Sequence, residues 1–241
     1  MAERLDGWLS RQGLGTRSEV RERIKAGRVR VGGTVIRDPA RKVDGPVEVD
    51  GAAITERPDA ATLLIHKPLG VSCSHDPREE PLVFDLVPAP WDHLAVEAAG
   101  RLDRDTSGLL VLTTDGQLIH ALTSPKRHRE KRYRIAYLGA LSSHAVERVA
   151  TGIALDGDDR PTLPARLELE PDGDDGLGRA TLWLREGRYH QVRRMIAALG
   201  GSVVRLHRDR IGALDLPADL APGAVREARP DEIAALMSKD A

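Results

Sequence analysis

The chain has 241 residues, 41% hydrophobic and 30% charged, enough apolar material for one large core or two smaller ones. A single cysteine, Cys73, excludes an internal disulfide, and no apolar run reaches the length of a signal-peptide core or a membrane span, so a cytoplasmic protein is expected. The net charge of −1 argues against a nucleic-acid partner only until its distribution is read. Residues 1–43 hold eleven Lys/Arg against five Asp/Glu, and residues 126–134 hold six against Glu130 alone. Residues 185–210 hold seven Arg against Glu186 and Asp209, while eight acids are gathered at 156–175. Segregation of this kind builds basic surfaces on a nearly neutral protein.

The amino terminus reads as a helix and not as a targeting segment. Leu5, Trp8 and Leu9 recur at helical spacing and Gly13 ends the run. Thr16 followed by Glu19 has the pattern of a capping box, Val20 and Ile24 give the next helix its apolar face, and Gly27 stops it. Arg17, Arg21, Lys25 and Arg28 line one side of that helix, a pattern suited to backbone phosphates. Val29 and Val31 start a hairpin that turns at Gly32-Gly33 and returns through Thr34–Ile36. Residues 47–54 supply another strand pair around Asp50-Gly51. Residues 55–62, TERPDAAT, read as a linker, so two domains are expected, 1–58 and 63–241.

The larger part opens with the apolar run Leu63–Ile65, followed by HKPLG. Strands are expected at 109–112, 133–138, 166–169, 180–185 and 202–206, and helices at 116–123, 142–151 and 190–199. The acidic stretches 156–159 and 171–178 read as turns. Strands outnumber helices without alternating with them, which predicts an α+β fold with a mostly antiparallel sheet.

Residues 100–116, GRLDRDTSGLLVLTTDG, are the most informative stretch. Asp103 stands between arginines on a polar loop that runs into a buried strand, a suitable place for a working carboxylate. The eight histidines show no metal-ligand spacing, and no glycine-rich phosphate loop is present.

That stretch closely resembles the central motif of the bacterial pseudouridine synthases. The resemblance extends to HKPLGVSCS (66–74), EKRYRIAY (130–137), EGRYHQVRRMIAALGG (186–201) and LHRDRIG (206–212). The first sixty residues resemble the S4-like RNA-binding fold. Two positions depart from the usual pattern: Gly32 and His66 stand where asparagine is common.

The resemblance implies isomerisation of uridine to pseudouridine with no cofactor and no metal. It makes Asp103 the catalytic carboxylate, Arg193 the cation paired with it, and Tyr133 the ring beside the uracil. A carboxylate inside a closed pocket needs such a cation to stay ionised. Arg194 points about 100° further around the same helix and is the competitor for that role. Tyr189 and Trp183 are expected to be structural, and Lys67 and Pro68 to shape the loop near the site. The candidate RNA contacts are Arg17, Arg21, Lys25, Arg28, Lys67, Arg101, Lys126, Arg127, Arg129, Lys131, Arg132, Arg194 and Arg208. The finer match, through TSPKRHREKRY and the stretch from Leu206 onward, is to the small-subunit branch. It implies uridine 516 of 16S rRNA as target, with the RNA free or in an assembling subunit, and a monomer with no membrane contact. The alternatives are a sister enzyme of 23S rRNA, a non-catalytic assembly factor, and a carboxylate hydrolase, which would need a second carboxylate.

Overall fold

The structure is a computed structural model that describes residues 3–54, 57–124, 127 and 129–238. The chain divides into two compact units: residues 1–59 with 89–93, and residues 60–88 with 94–241. The segment 89–93 therefore groups with the small unit and not, as expected, with the large one. Within the small unit Asp92 meets Arg57 at 3.3 Å, and His93 Nε2 lies 3.0 Å from the Pro58 carbonyl.

The small unit contains α1 (Leu5–Arg11), α2 (Arg17–Lys25), β1 (Val29–Val31), β2 (Thr34–Ile36), β3 (Val47–Val49) and β4 (Ala52–Ala53). The capping box at the start of α2 is formed. The Glu19 amide donates to Thr16 Oγ1 at 3.4 Å, and the Thr16 amide donates to Glu19 Oε2 at 2.7 Å. The four strands form an antiparallel sheet in the order β2-β1-β3-β4. Gly32 and Gly33 both have positive φ, as a two-residue hairpin turn demands. Leu5, Trp8, Leu9, Val20, Ile24, Val29, Val31, Val47 and Val49 make the core. Asp6 is buried beside it and accepts from Arg21 Nε at 2.8 Å and from Arg4. These bonds outweigh burial and hold its carboxyl at a pKa of about 2.

The large unit contains β5 (Thr62–Lys67), β6 (Glu97–Ala98), β7 (Ser107–Thr113), α3 (Gly116–Thr123), β8 (Lys131–Leu138), α4 (Ala145–Thr151), β9 (Arg166–Glu170), β10 (Gly178–Leu184), α5 (Gln191–Ala198), β11 (Ser202–Ile211), β12 (Leu214–Asp215), β13 (Val225–Glu227) and α6 (Pro230–Met237). One sheet runs β13-β5-β7-β11-β8-β10-β9, with β6 beside β7 and β12 beside β11. Every pairing is antiparallel except β7 with β11. The fold is α+β with a mostly antiparallel sheet. Among the described residues, one apolar cluster packs α4 and α5 on β8–β10 and another packs α3 and α6 on β5 and β7. Among the described residues no helix is long and apolar enough to cross a membrane.

Two expectations about this unit change. Strand β11 does not stop at Leu206 but runs on to Ile211 through HRDR. Polar residues remain in the strand because each finds a partner. Ser107 Oγ lies 2.9 Å from His207 Nδ1, and Asp209 accepts from Arg132 Nε and Arg134 Nε, both at 2.8 Å. Helix α6 was not anticipated, although Pro230 at its first turn and Asp231 and Glu232 behind it are ordinary start signals.

Candidate active site

β7 is preceded by the loop 100–106, and that loop is tied down from several sides. The Thr106 amide donates to the Asp103 carbonyl at 3.0 Å, closing a turn. The Gly70 amide donates to the Arg104 carbonyl at 2.8 Å, and Arg104 Nε returns a bond to the Gly70 carbonyl at 2.9 Å. From beneath, Lys67 Nζ donates to the Thr106 carbonyl at 2.9 Å and Arg208 Nε to the Leu109 carbonyl at 3.0 Å. The Asp103 side chain projects from this loop with 37% exposure, into a cleft of about 440 Å³. Tyr133 from β8, Arg193 from α5 and Arg208 from β11 line the same cleft. The sheet order explains the convergence, since β7, β11 and β8 are consecutive neighbours.

Arg193 is not paired with Asp103. Its Nη2 reaches the carboxylate of Asp105 at 2.8 Å and the Asp105 carbonyl at 3.0 Å, and its Nη1 donates to the Val203 carbonyl at 3.3 Å. The turn between Asp103 and Thr106 separates the two carboxylates, and the helix presents its arginine to the second. The side chain that approaches Asp103 is His190, with Nε2 3.6 Å from Oδ1. Arg194 points elsewhere, to Asp158 Oδ1 at 2.8 Å and the Asp156 carbonyl at 2.6 Å.

Cations do stand beneath the loop. Lys67 and Arg208 are fully buried, and among the described residues their hydrogen bonds go to backbone carbonyls, Arg208 Nη2 being left without a partner. Burial pushes the Lys67 pKa down, and the charges of Asp105 and Asp103 act in the opposite direction.

Several expected RNA contacts are corrected by this burial. Lys67 and Arg208 have no surface to offer a phosphate. Arg129 is also buried, and donates to the Met237 carbonyl at 2.5 Å. Arg132 is taken up by Asp209 and by Asp215 at 2.7 Å, because β11 presents a carboxylate beside it. Arg101 and Arg127 are exposed, Arg101 and Lys131 line the cleft, and Lys126 lies outside the described residues. In the small unit Arg17, Arg21, Lys25 and Arg28 are all exposed. Arg21 is nevertheless tied to Asp6, Lys25 sits 3.2 Å from Glu22, and Arg28 grips Asp50 with two bonds of 2.6 Å.

Sequence reasoning passed over two side chains at the cleft. Tyr189, expected to be structural, is 76% exposed, and its ring stacks on His190 with centroids 3.9 Å apart. His190 has φ 47°, a left-handed conformation that a histidine adopts at some cost. The available signal was the rarity of tyrosine: three in the chain, all in the motifs quoted above, and two of them, Tyr133 and Tyr189, line the cleft. Trp183, by contrast, carries the Arg166 guanidinium over its ring at 4.3 Å on the strand pair β9–β10, as a structural residue would.

Among the described residues two carboxylates line the cleft, Asp103 and Glu186. Glu186 is occupied by the Leu163 amide at 2.9 Å, Gln191 Nε2 at 2.7 Å and Arg188 Nε at 3.2 Å. That disfavours the two-carboxylate chemistry of a glycosidase.

Comparison with known proteins agrees with the motifs. Residues 61–198 match the RNA pseudouridylate synthase family, and residues 3–49 match the S4 domain. The chain is 37% identical over 238 residues to the ribosomal small subunit pseudouridine synthase A of Escherichia coli K12, covering 97% of this chain and 100% of that one. It is 39% identical over 233 residues to the protein of the same name from Pasteurella multocida, covering 96% and 98%. A solved pseudouridylate synthase structure superposes with a TM-score of 0.68 at 34% identity, covering 98% of this chain and all of that one.

Proposed function

This chain belongs to the RNA pseudouridylate synthase family and carries an S4 domain ahead of the synthase domain, and on that premise we propose that it isomerises uridine 516 of 16S rRNA. The observation that carries the small-subunit assignment is full-length similarity to enzymes of that name, extending through the residues beyond the matched synthase region.

The reaction breaks the bond between N1 of uracil and C1′ of the ribose, turns the base, and joins C5 to C1′, the proton lost from C5 being balanced by one gained at N1. Nothing is oxidised or reduced, so no cofactor is required. Asp103 acts at the ribose, on a loop rigid enough to hold it through both steps. Tyr133 lies against the base. Arg193 positions the loop through Asp105. The target uridine is extruded to reach the cleft, at a cost of roughly a few kcal/mol that contacts to the flanking backbone offset. Arg101 and Lys131, which line the cleft, would make such contacts together with the exposed Arg127, as would Arg17 and Lys25 in the S4 domain. The protein works as a cytoplasmic monomer on rRNA, free or within an assembling small subunit.

The test is to map pseudouridine in 16S and 23S rRNA from cells lacking the protein, with complementation by wild type and by Asp103→Asn. Loss confined to 16S position 516, restored only by wild type, is the expected result. Loss at a 23S uridine with 16S intact would reassign the enzyme to the sister branch.

A further inference from the structure

Tyr189 holds an aromatic ring, with its amphipathic face, out into solvent on a rigid mount. Its mount is firm on both sides. The Tyr189 carbonyl accepts from Arg194 Nη1 at 3.3 Å, the Arg188 amide donates to Gln191 Oε1 at 2.9 Å, and Arg188 Nη1 is bound to Asp158 at 2.8 Å. One face of the Tyr189 ring lies on His190, with 17° between the planes. With 76% of the residue exposed, surface remains for a further ring. Both residues line the cleft that holds Asp103, and the His190 ring comes within 3.6 Å of that carboxylate. The cleft also carries cations: Arg101 and Arg185 line it and are exposed.

An exposed aromatic face in a cleft that also carries cations, and that must admit one extruded nucleotide, has the make-up of a stacking platform for a nucleobase. The extruded uridine lies with Tyr133 inside, so the base available to the exposed face is a neighbour of the target. We propose that the Tyr189–His190 stack binds the nucleobase flanking the target uridine and thereby fixes the register of the RNA over Asp103. Stacking tolerates any base, so the platform sets position more than sequence. The left-handed His190 backbone is what brings its ring under Tyr189 and beside Asp103 together. The inference rests on Asp103 being the reacting carboxylate.

The experiment uses the full-length protein and an rRNA fragment that wild type demonstrably modifies. A wrong target assignment then changes the fragment and not the outcome, and a wrong carboxylate shows separately as activity in Asp103→Asn. 2-Aminopurine, whose emission falls on stacking, is placed on either side of the target in two fragments. Tyr189→Ala is expected to weaken binding by roughly 5- to 100-fold, the range for loss of one base stack. That loss in Kd should exceed any loss in the single-turnover rate at saturating enzyme. At one of the two flanks the bound emission should rise relative to wild type. Tyr189→Phe, which keeps the ring, should restore both affinity and emission. Unchanged affinity and unchanged emission at both flanks in Tyr189→Ala would overturn the proposal. So would a loss confined to the saturated rate, or failure of phenylalanine to restore binding.

Discussion

A side chain at Gly108 would place its Cβ on the carbonyl oxygen of Arg208, with Arg208 N 2.7 Å and Arg208 C 2.8 Å away. Gly108 also has φ +119°, which side-chain-bearing residues rarely adopt. These two residues are register partners in the one parallel pairing of the sheet, and Asp103 lies five residues earlier in the chain. Gly108→Ala is therefore predicted to destabilise the large unit by more than about 2 kcal/mol, combining backbone strain with steric overlap. Chemical denaturation measures it, and a wild-type midpoint would show that the two strands can part without penalty.

Asp103→Asn keeps shape and removes charge. Turnover should fall by more than about a thousandfold, on the scale seen when a single reacting group is lost. Affinity for RNA and the unfolding midpoint should remain near wild type. An asparagine variant that modifies RNA at the normal rate would remove Asp103 from the chemistry.

Arg193→Ala should cost at least about tenfold more single-turnover rate than Arg194→Ala. Arg193 joins α5 to Asp105 on the reactive loop, whereas Arg194 is spent on the acidic turn at Asp156 and Asp158. Asp105→Asn should reproduce part of the Arg193 loss, because it weakens the same link. Equal losses at the two arginines, or none at Asp105, would mean that this link does not hold the loop.

The basic helix face makes a graded prediction. Arg17→Ala and Lys25→Ala should each lower the salt slope of rRNA binding by about one unit, or somewhat less for single strands. Arg21→Ala should lower it less and cost more stability, since Arg21 answers the buried Asp6. Affinity measured against salt concentration, with thermal melting alongside, separates the two. An unaltered slope for Arg17→Ala with Lys25→Ala would take the face out of RNA binding.

Acid should unfold the protein through specific carboxylates. Asp6 and Glu232 are each held at a pKa of about 2, and Glu232 accepts from Arg226 at 2.7 and 2.8 Å. Their folded pKa values lie below the ordinary unfolded ones near 4, so the stabilisation is full above about pH 5 and lost as pH falls toward 2. Each contributes about 2 to 3 kcal/mol on that reckoning. Glu232→Gln should lower stability at pH 7 and flatten its decline between pH 5 and 2. A variant with the same steep decline as wild type would assign the acid sensitivity to other groups.

Much of this was legible in sequence wherever local chemistry decides structure. Thr16 and Glu19, Gly32-Gly33 and Asp50-Gly51 act within a few residues of one another, and each feature appears where the pattern places it. The apolar run Leu109–Leu112 has to be a buried strand, and it is. Long-range choices were less legible. Nothing in GRYHQVRRM says that Arg193 reaches Asp105 in preference to Asp103, because two residues of loop separate the answers and only the turn at Thr106 decides. Lys67 and Arg208 read as surface cations because charge usually is at the surface, and here carbonyls of neighbouring strands and loops take the place of water. His190 looked isolated because its partner lies 87 positions earlier in the chain.

The pairing of Ser107 with His207 spans 100 residues, and β13 closes the far edge of the same sheet against β5. During synthesis the strand carrying the reactive loop leaves the ribosome long before the strand that seats it. The small unit's core, by contrast, draws on residues 5–49. A nascent chain can therefore fold an RNA-gripping module while the Asp103 loop is still unseated, and enzymatic competence arrives only once β11 and β13 have emerged.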